Sequence, residues 1–298
     1  MPCLRPLTGW RSNERNEKTG KRPIVFKRTD GIEHTMLQIP CGQCQGCRLD
    51  KSLDWAIRCV HEKKLHENNC FITLTYDDEC LPKIPSGLPT LVKDHWIKFM
   101  KRLRKKYGEG IRFFHCGEYG DLFDRPHYHA IIFGHDFEDK RLHSIRDGIR
   151  LCESEELNKL WEYQGFCTVG EVTFESAAYV ARYIMKKVTG KGADDHYKGR
   201  QPDYILMSRR PGIGRPWLDK YMSDVYPHDF IIHSLGKKAR PSRYYDSIYD
   251  KINSQDMEKI KKLRLEKIKK YKYNNTPCRL IVREIVLEEK IKKLKRNL

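Results

Sequence analysis

The stretch GEYGDLFDRPHYHAIIFG, from Gly117 to Gly134, constrains the fold of this chain more than any other. The residues leading into it from Ile111 and the run from His127 to Phe133 are apolar and of strand length, and the polar joint Asp121 to Pro126 lets them pair as a hairpin. Side chains of a strand alternate between faces, so His127 and His129 point one way and Tyr128 the other. Across the hairpin the Glu118 carboxylate reaches the same place. Two imidazoles and a carboxylate make a three-ligand site with open positions. Such a set suits magnesium or manganese as well as zinc, and hard ions of this kind also bind phosphate. Two half-buried structural histidines would give the same letters. Glu118 in the partner segment and the turn-rich joint favour the ion.

The partner class follows from charge. Lys and Arg number 58 against 40 Asp and Glu, a formal net charge of +18 over 298 residues, which favours a polyanion, either a nucleic acid or an acidic membrane face. No run approaches the roughly 18 apolar residues of a membrane span, and MPCLRPLTGW lacks a signal-peptide core. A soluble, intracellular protein is the expectation, with its eleven cysteines mostly reduced.

Three stretches are expected along the chain. Residues 1–66 hold a polar, irregular arm to residue 40, the CxxCxxC run of Cys41, Cys44 and Cys47, and a helix from Leu49 to about Leu65. Residues 67–220 alternate strand and helix patterns: CFITLTY as a strand, a helix from Leu91 to Tyr107, the hairpin, a short helix capped by Ser154, a strand near Phe166 to Val172, and a helix from Phe174 to Val188 capped by Thr173. A strand at Tyr204 to Met207 and the basic loop SRRPGIGRP follow. Residues 221–298 form a basic extension, helix-compatible from about Asp256.

In AAYVARYIMKK, Tyr179 and Tyr183 are four residues apart and stack on one helical face, with Lys186 near them. Ala177, Val180, Ala181, Ile184 and Val188 form the opposite, apolar stripe. Ordinary packing already has that stripe, which leaves the tyrosines for other work. A phenol with a pKa near 10 is a poor nucleophile at neutral pH, so it needs a polarised target or a nearby cation. Lys186, or less directly Lys187, supplies the cation, and the ion at Glu118, His127 and His129 the polarisation.

The order FITLTY, PHYHAIIFG, YVARYIMK resembles the HUH endonucleases that initiate rolling-circle replication. PCGQCQGCR, GEYG, RPHYHAIIFG and RPGIG are similar to segments of the replication-initiation proteins of gokushoviruses and related microviruses, and the matching motifs span residues 40–216. The resemblance implies an α/β, RRM-like domain whose central, mainly antiparallel sheet carries the histidine strand in its middle, with helices packed on one face. It implies His127, His129 and Glu118 as ligands of a catalytic Mg2+ or Mn2+, Tyr179 and Tyr183 as nucleophiles, and Lys186 at the matching lysine position. It also implies nicking of single-stranded origin DNA through a 5′-phosphotyrosyl intermediate, followed by religation of a circle, in the cytoplasm of a bacterial host. The chain has no GxxxxGK[ST] loop, so helicase and polymerase come from the host. The rivals are an HUH transposase or relaxase, and a non-catalytic zinc-bearing nucleic-acid-binding protein.

Three thiolates fall one short of a tetrahedral zinc site. Cys3, in the polar arm, is the first choice for the fourth, with Cys59 and Cys70 as alternatives. Lys101, Arg102, Arg104 and Lys105, and the loop residues Arg209, Arg210 and Arg215, are the expected phosphate contacts, although a charge run is also what a solvated helix face looks like. Phe113, Phe114 and Tyr119 are candidates for stacking on unpaired bases.

Overall fold

The computed structural model describes the chain except residues 1, 2, 19, 121, 122, 147, 187, 189, 191, 234, 235 and 293–298, together with the side chains of 146 and 182–186. Its residues divide between two compact units, one drawn from Met1–Lys51 and Leu265–Lys295 and the other from Ser52–Arg264. The first strands, β1 (Leu7–Arg11), β2 (Ile24–Val25) and β3 (Leu37–Ile39), form an antiparallel sheet in the order β2-β1-β3. This corrects the irregular arm expected before residue 40, because strands of two to five residues are too short for alternation to show.

Next come α1 (Gln45–Lys63), β4 (Asn69–Leu74), α2 (Lys93–Tyr107), β5 (Arg112–Tyr119), β6 (Pro126–Phe133), β7 (Arg141–Arg146), β8 (Ile149–Glu153), α3 (Glu155–Leu160), β9 (Cys167–Gly170) and α4 (Phe174–Lys186). The chain continues through α5 (Ala193–Tyr197), β10 (Tyr204–Met207), α6 (Arg215–Lys220), α7 (Met222–Val225), β11 (Ile231–Ile232), β12 (Lys238–Ala239), α8 (Arg243–Ile252), α9 (Ser254–Lys270) and α10 (Pro277–Lys292). Seven strands make one antiparallel sheet in the order β10-β5-β6-β4-β9-β8-β7. The mixed α/β fold is the expected one, with the histidine strand β6 held between β5 and β4.

Alternation splits these strands between two cores. On one face Cys70, Ile72 and Leu74 of β4 and Tyr128, Ala130 and Ile132 of β6 pack with Trp96, Phe99, Met100 and Leu103 of α2 and with Leu157 and Leu160 of α3. On the other, Phe71, Phe114, Cys116, Ile131 and Phe133 meet Ala56 and Cys59 of α1 and Ala177, Val180 and Ala181 of α4. Helices therefore cover both faces rather than one. The cause is local: CFITL and AIIF are apolar at nearly every position, as strands buried on both sides are. Each large side chain buried this way contributes about 1.5–3 kcal/mol.

A third cluster joins Ile57 of α1 to Trp217, Leu218, Tyr226, Tyr245, Ile248 and Tyr249. Residues 221–264 thus belong to the unit of the large sheet, while 265–295 group with the N-terminal arm, so the basic extension does not stand as a segment of its own. The aromatic residues that bind 221–264 to that core are hidden in composition by the lysines and arginines around them.

Candidate functional site

The β5–β6 register sets Glu118 opposite His127 and Cys116 opposite His129, and β4 sets Thr73 opposite His129. The three expected ligands therefore share the sheet face on which α4 lies. His129 Nε2 is 3.0 Å from Glu118 Oε1, and its Nδ1 is 3.0 Å from Thr73 Oγ1. With the proton on Nε2, the ring donates to the carboxylate and accepts the threonine hydroxyl. Phe71 stacks beside the same ring, 6.0 Å between centroids and 9° between planes.

His127 lies next to His129, with centroids 6.4 Å apart and planes at 13°. Burial, and then the neighbouring His129, lower its pKa, which favours the neutral imidazole that ligates metals. A Cβ at Gly120 would stand 2.9 Å from His127 Cε1, so the final glycine of GEYG leaves room for the ring. Among the described residues, the candidate ligands whose donor atoms all lie within 4.8 Å of one another are the four cysteines discussed below. Glu118 and His129 already touch, so an ion shared with His127 requires that ring to turn toward them. Two imidazoles and a carboxylate facing one cavity otherwise fit a divalent ion.

Helix α4 begins with reciprocal bonds: Ser176 N donates to Thr173 Oγ1 at 3.1 Å and Thr173 N donates to Ser176 Oγ at 2.8 Å. This satisfies N-terminal donors as the sequence predicts. The cap sets the rotation of the helix, with Ala177, Val180 and Ala181 buried. Tyr179 then presents its ring edge-on to His129, 5.3 Å between centroids at 90°, and to Phe71 at 6.3 Å and 83°. Tyr183 and Lys186 follow on the same helix, but their side chains, and Lys187 altogether, lie outside the described residues.

Thr73, Glu118, His127, His129 and Tyr179 line a cavity of about 530 Å³. None of the expected phosphate contacts lines it. Helix α2 packs on the opposite face, where Arg102 Nε donates to Leu160 O at 2.8 Å and Arg104 Nη2 to Ile111 O at 2.9 Å. Arg215 Nε donates to Asp219 Oδ1 at 2.7 Å. Lys101, Lys105, Arg209 and Arg210 are exposed. Phe114 and Tyr119 are buried in the cores. The exposed aromatic residue at the cavity is Phe166, at its far wall with the β7–β8 hairpin. No clean periodicity marks that hairpin in the sequence, although the Asp-Gly at 147–148 between extended segments is a turn signal.

Cys3, Cys41, Cys44 and Cys47 come together, as expected with Cys3 as the fourth member. Cys3 Sγ lies 3.6 Å from Cys41 Sγ and 3.8 Å from Cys44 Sγ; ligands 2.3 Å from a tetrahedral zinc stand about 3.8 Å apart. Burial raises the Cys44 thiol, but N–H donors from Leu4 and Cys47 outweigh it and bring the pKa down to about 6. Burial, together with the charge at Cys44, pushes Cys47 up. A cation would relieve both effects.

Fold and site together define an α/β protein with histidine, carboxylate and tyrosine side chains gathered at one cavity on an antiparallel sheet. The family model described as replication-associated protein ORF2/G2P matches residues 69–188, the stretch that carries all of these groups. Replication-associated protein ORF2 of Spiroplasma virus 4 is 34% identical over 267 residues, covering 83% of this chain and 79% of its own. Replication-associated protein VP4 of Bdellovibrio phage phiMH2K is 33% identical, covering 84% and 78%, and replication-associated protein ORF4 of Chlamydia phage 1 is 31% identical, covering 76% and 57%. No solved structure matches. The chain belongs to the family of phage replication-associated proteins. Among the described residues no helix is long and apolar enough to cross a membrane.

Proposed function

We propose that the protein initiates replication by nicking single-stranded DNA at an origin through tyrosine transesterification. The observation that carries this reading is the meeting of Tyr179 with His129 and Glu118 at one cavity. Tyr179 Oη attacks a phosphodiester: an Oη–P bond forms, the P–O3′ bond breaks, and the phenol proton ends on the departing 3′-oxygen. The product is a 5′-phosphotyrosyl link and a 3′-OH that primes synthesis. Tyr183, on the next turn of the helix, cuts the regenerated origin, and the freed 3′-OH attacks the first linkage to close a circle. Lys186 stabilises the phenolate. Glu118, His127 and His129 would hold Mg2+ or Mn2+, which would supply polarisation of a phosphoryl oxygen. The phosphotyrosine stores the bond, so no nucleotide is hydrolysed, and unwinding and extension fall to a host helicase and polymerase in the bacterial cytoplasm.

The cysteine cluster is a structural zinc site in this reading, and the +18 charge draws the chain to DNA, with Lys101, Lys105, Arg209 and Arg210 left to meet phosphates. Incubation with a labelled single-stranded origin oligonucleotide tests the function. Manganese should give a covalent adduct that EDTA abolishes. Binding without any metal-dependent adduct would mark the chain as a non-catalytic binder.

A further inference from the structure

Glu118, His127, His129 and Tyr179 line the cavity along β5, β6 and α4, and the β7–β8 hairpin and Phe166 line it from beyond β4 in the strand order. Strand β8 joins β9 through one ladder pair, Cys152 with Val169, and the β7–β8 hairpin forms the edge of the sheet. The ladder slips between Leu142 and Ser144, a bulge at His143 that bends the strand, and Gly148 turns the tip with φ 80°. Gly148 and Ile149 thereby reach the cavity that Glu118 and His127 line.

The surface presented there is apolar and aromatic. Phe166 is 46% exposed, its ring 5.0 Å from that of His143 and tilted by 56°, and Ile149 and Leu151 continue the wall. Leu142 and Ile145 of the same hairpin are 51% and 60% exposed, while Arg141 and Arg150 are exposed cations. Phosphate has no use for an apolar wall, but an unpaired base stacks on one, with cations beside it for the backbone. A cavity of about 530 Å³ exceeds what a tyrosine and an ion need and suits a nucleotide-sized group.

We infer that the β7–β8 hairpin and Phe166 hold the nucleobase next to the scissile phosphate, Phe166 being the stacking platform. The inference deepens the nicking function and rests on it. The ligand class is single-stranded DNA, not a protein.

The test pairs a protein change with a substrate change. The full chain and its Phe166→Ala variant are given a single-stranded oligonucleotide that the unaltered chain cuts, either intact or with an abasic residue beside the cut. Either change alone should weaken binding roughly ten-fold, the two together should weaken it little further, and Phe166→Tyr should restore it. Losses that multiply, or a Phe166→Ala chain that binds and cuts as the unaltered one does, overturn the platform while leaving the nicking function standing. The same result would leave exposed Leu142 and Ile145 to a protein partner. An unaltered chain that cuts no single-stranded DNA overturns both.

Discussion

Thr73 and His129 show how one hydroxyl can orient an imidazole. The threonine engages Nδ1 and holds the ring with Nε2 toward Glu118; for Nε2 to ligate an ion the ring proton would sit on Nδ1 and be donated to Thr73 Oγ1, the arrangement by which outer groups orient metal-binding histidines. Thr73→Val keeps the branched shape and removes the hydroxyl. Calorimetric titration with Mn2+ should then show binding weaker by about 10–100-fold with an unchanged far-UV spectrum; unaltered affinity would remove Thr73 from the site. A second residue, His61, bears on stability. It stacks on Trp217 at 3.4 Å and shares a 3.0 Å hydrogen bond between its Nδ1 and Tyr245 Oη, and burial lowers its pKa to about 3. The unfolded chain takes up that proton near pH 6.5, so the stabilisation is complete above pH 6.5 and is lost as pH falls toward 3, amounting to roughly 5 kcal/mol. Melting curves at pH 7 and 4.5 should show His61→Phe losing less stability on acidification than the unaltered chain; equal losses would contradict the assignment.

At the scale of elements, the capping pair of Thr173 and Ser176 places Tyr179. Thr173→Ala should cost about 1 kcal/mol in thermal unfolding and lower adduct formation with it, whereas an unchanged melting curve would show the cap to be idle. The long elements were legible because their periods are clean. The Trp96, Phe99, Met100, Leu103 series announces α2, and the alternation of Glu118, His127 and His129 across a turn announces the hairpin that carries the candidate ligands. The same segments also held the clue to helices on both faces, since FITL and AIIF leave no polar side to meet water. Strands β7 and β8 were hidden because Arg141 to Glu153 mixes Arg, His and Ser with aliphatic residues, half of them exposed on an edge hairpin. The placement of the candidate residues was legible wherever local spacing set it, as for Tyr179 over the histidine face. It was illegible where a side chain arrives from another element, as Thr73 and Phe166 do.

For the molecule as a whole, the four cysteines tie Cys3, near the start of the chain, to the CxxCxxC run 38 residues later. Closing such a loop with a metal adds folding free energy to a unit whose strands are two to five residues long. The purified chain should contain one zinc by elemental analysis, lose it in Cys44→Ser, and melt at lower temperature after chelation. A chain that carries no zinc and takes none up would leave the cluster as thiols. Cysteine spacing gave three of the four clustered thiols directly and the fourth by the placing of Cys3 in the arm, whereas the division of the basic C-terminal stretch between two units depended on tertiary contacts that no local pattern records.

In the proposed reaction a tyrosine of α4 becomes bonded to DNA. Mass spectrometry of proteolysed adduct, formed with a single-stranded origin oligonucleotide in manganese, tests it most directly. A nucleotide should be attached through a 5′-phosphate to Tyr179 or Tyr183, with no adduct in the chain carrying both Tyr179→Phe and Tyr183→Phe. Attachment at any other residue, or cleavage that proceeds undiminished in the double variant, would contradict it.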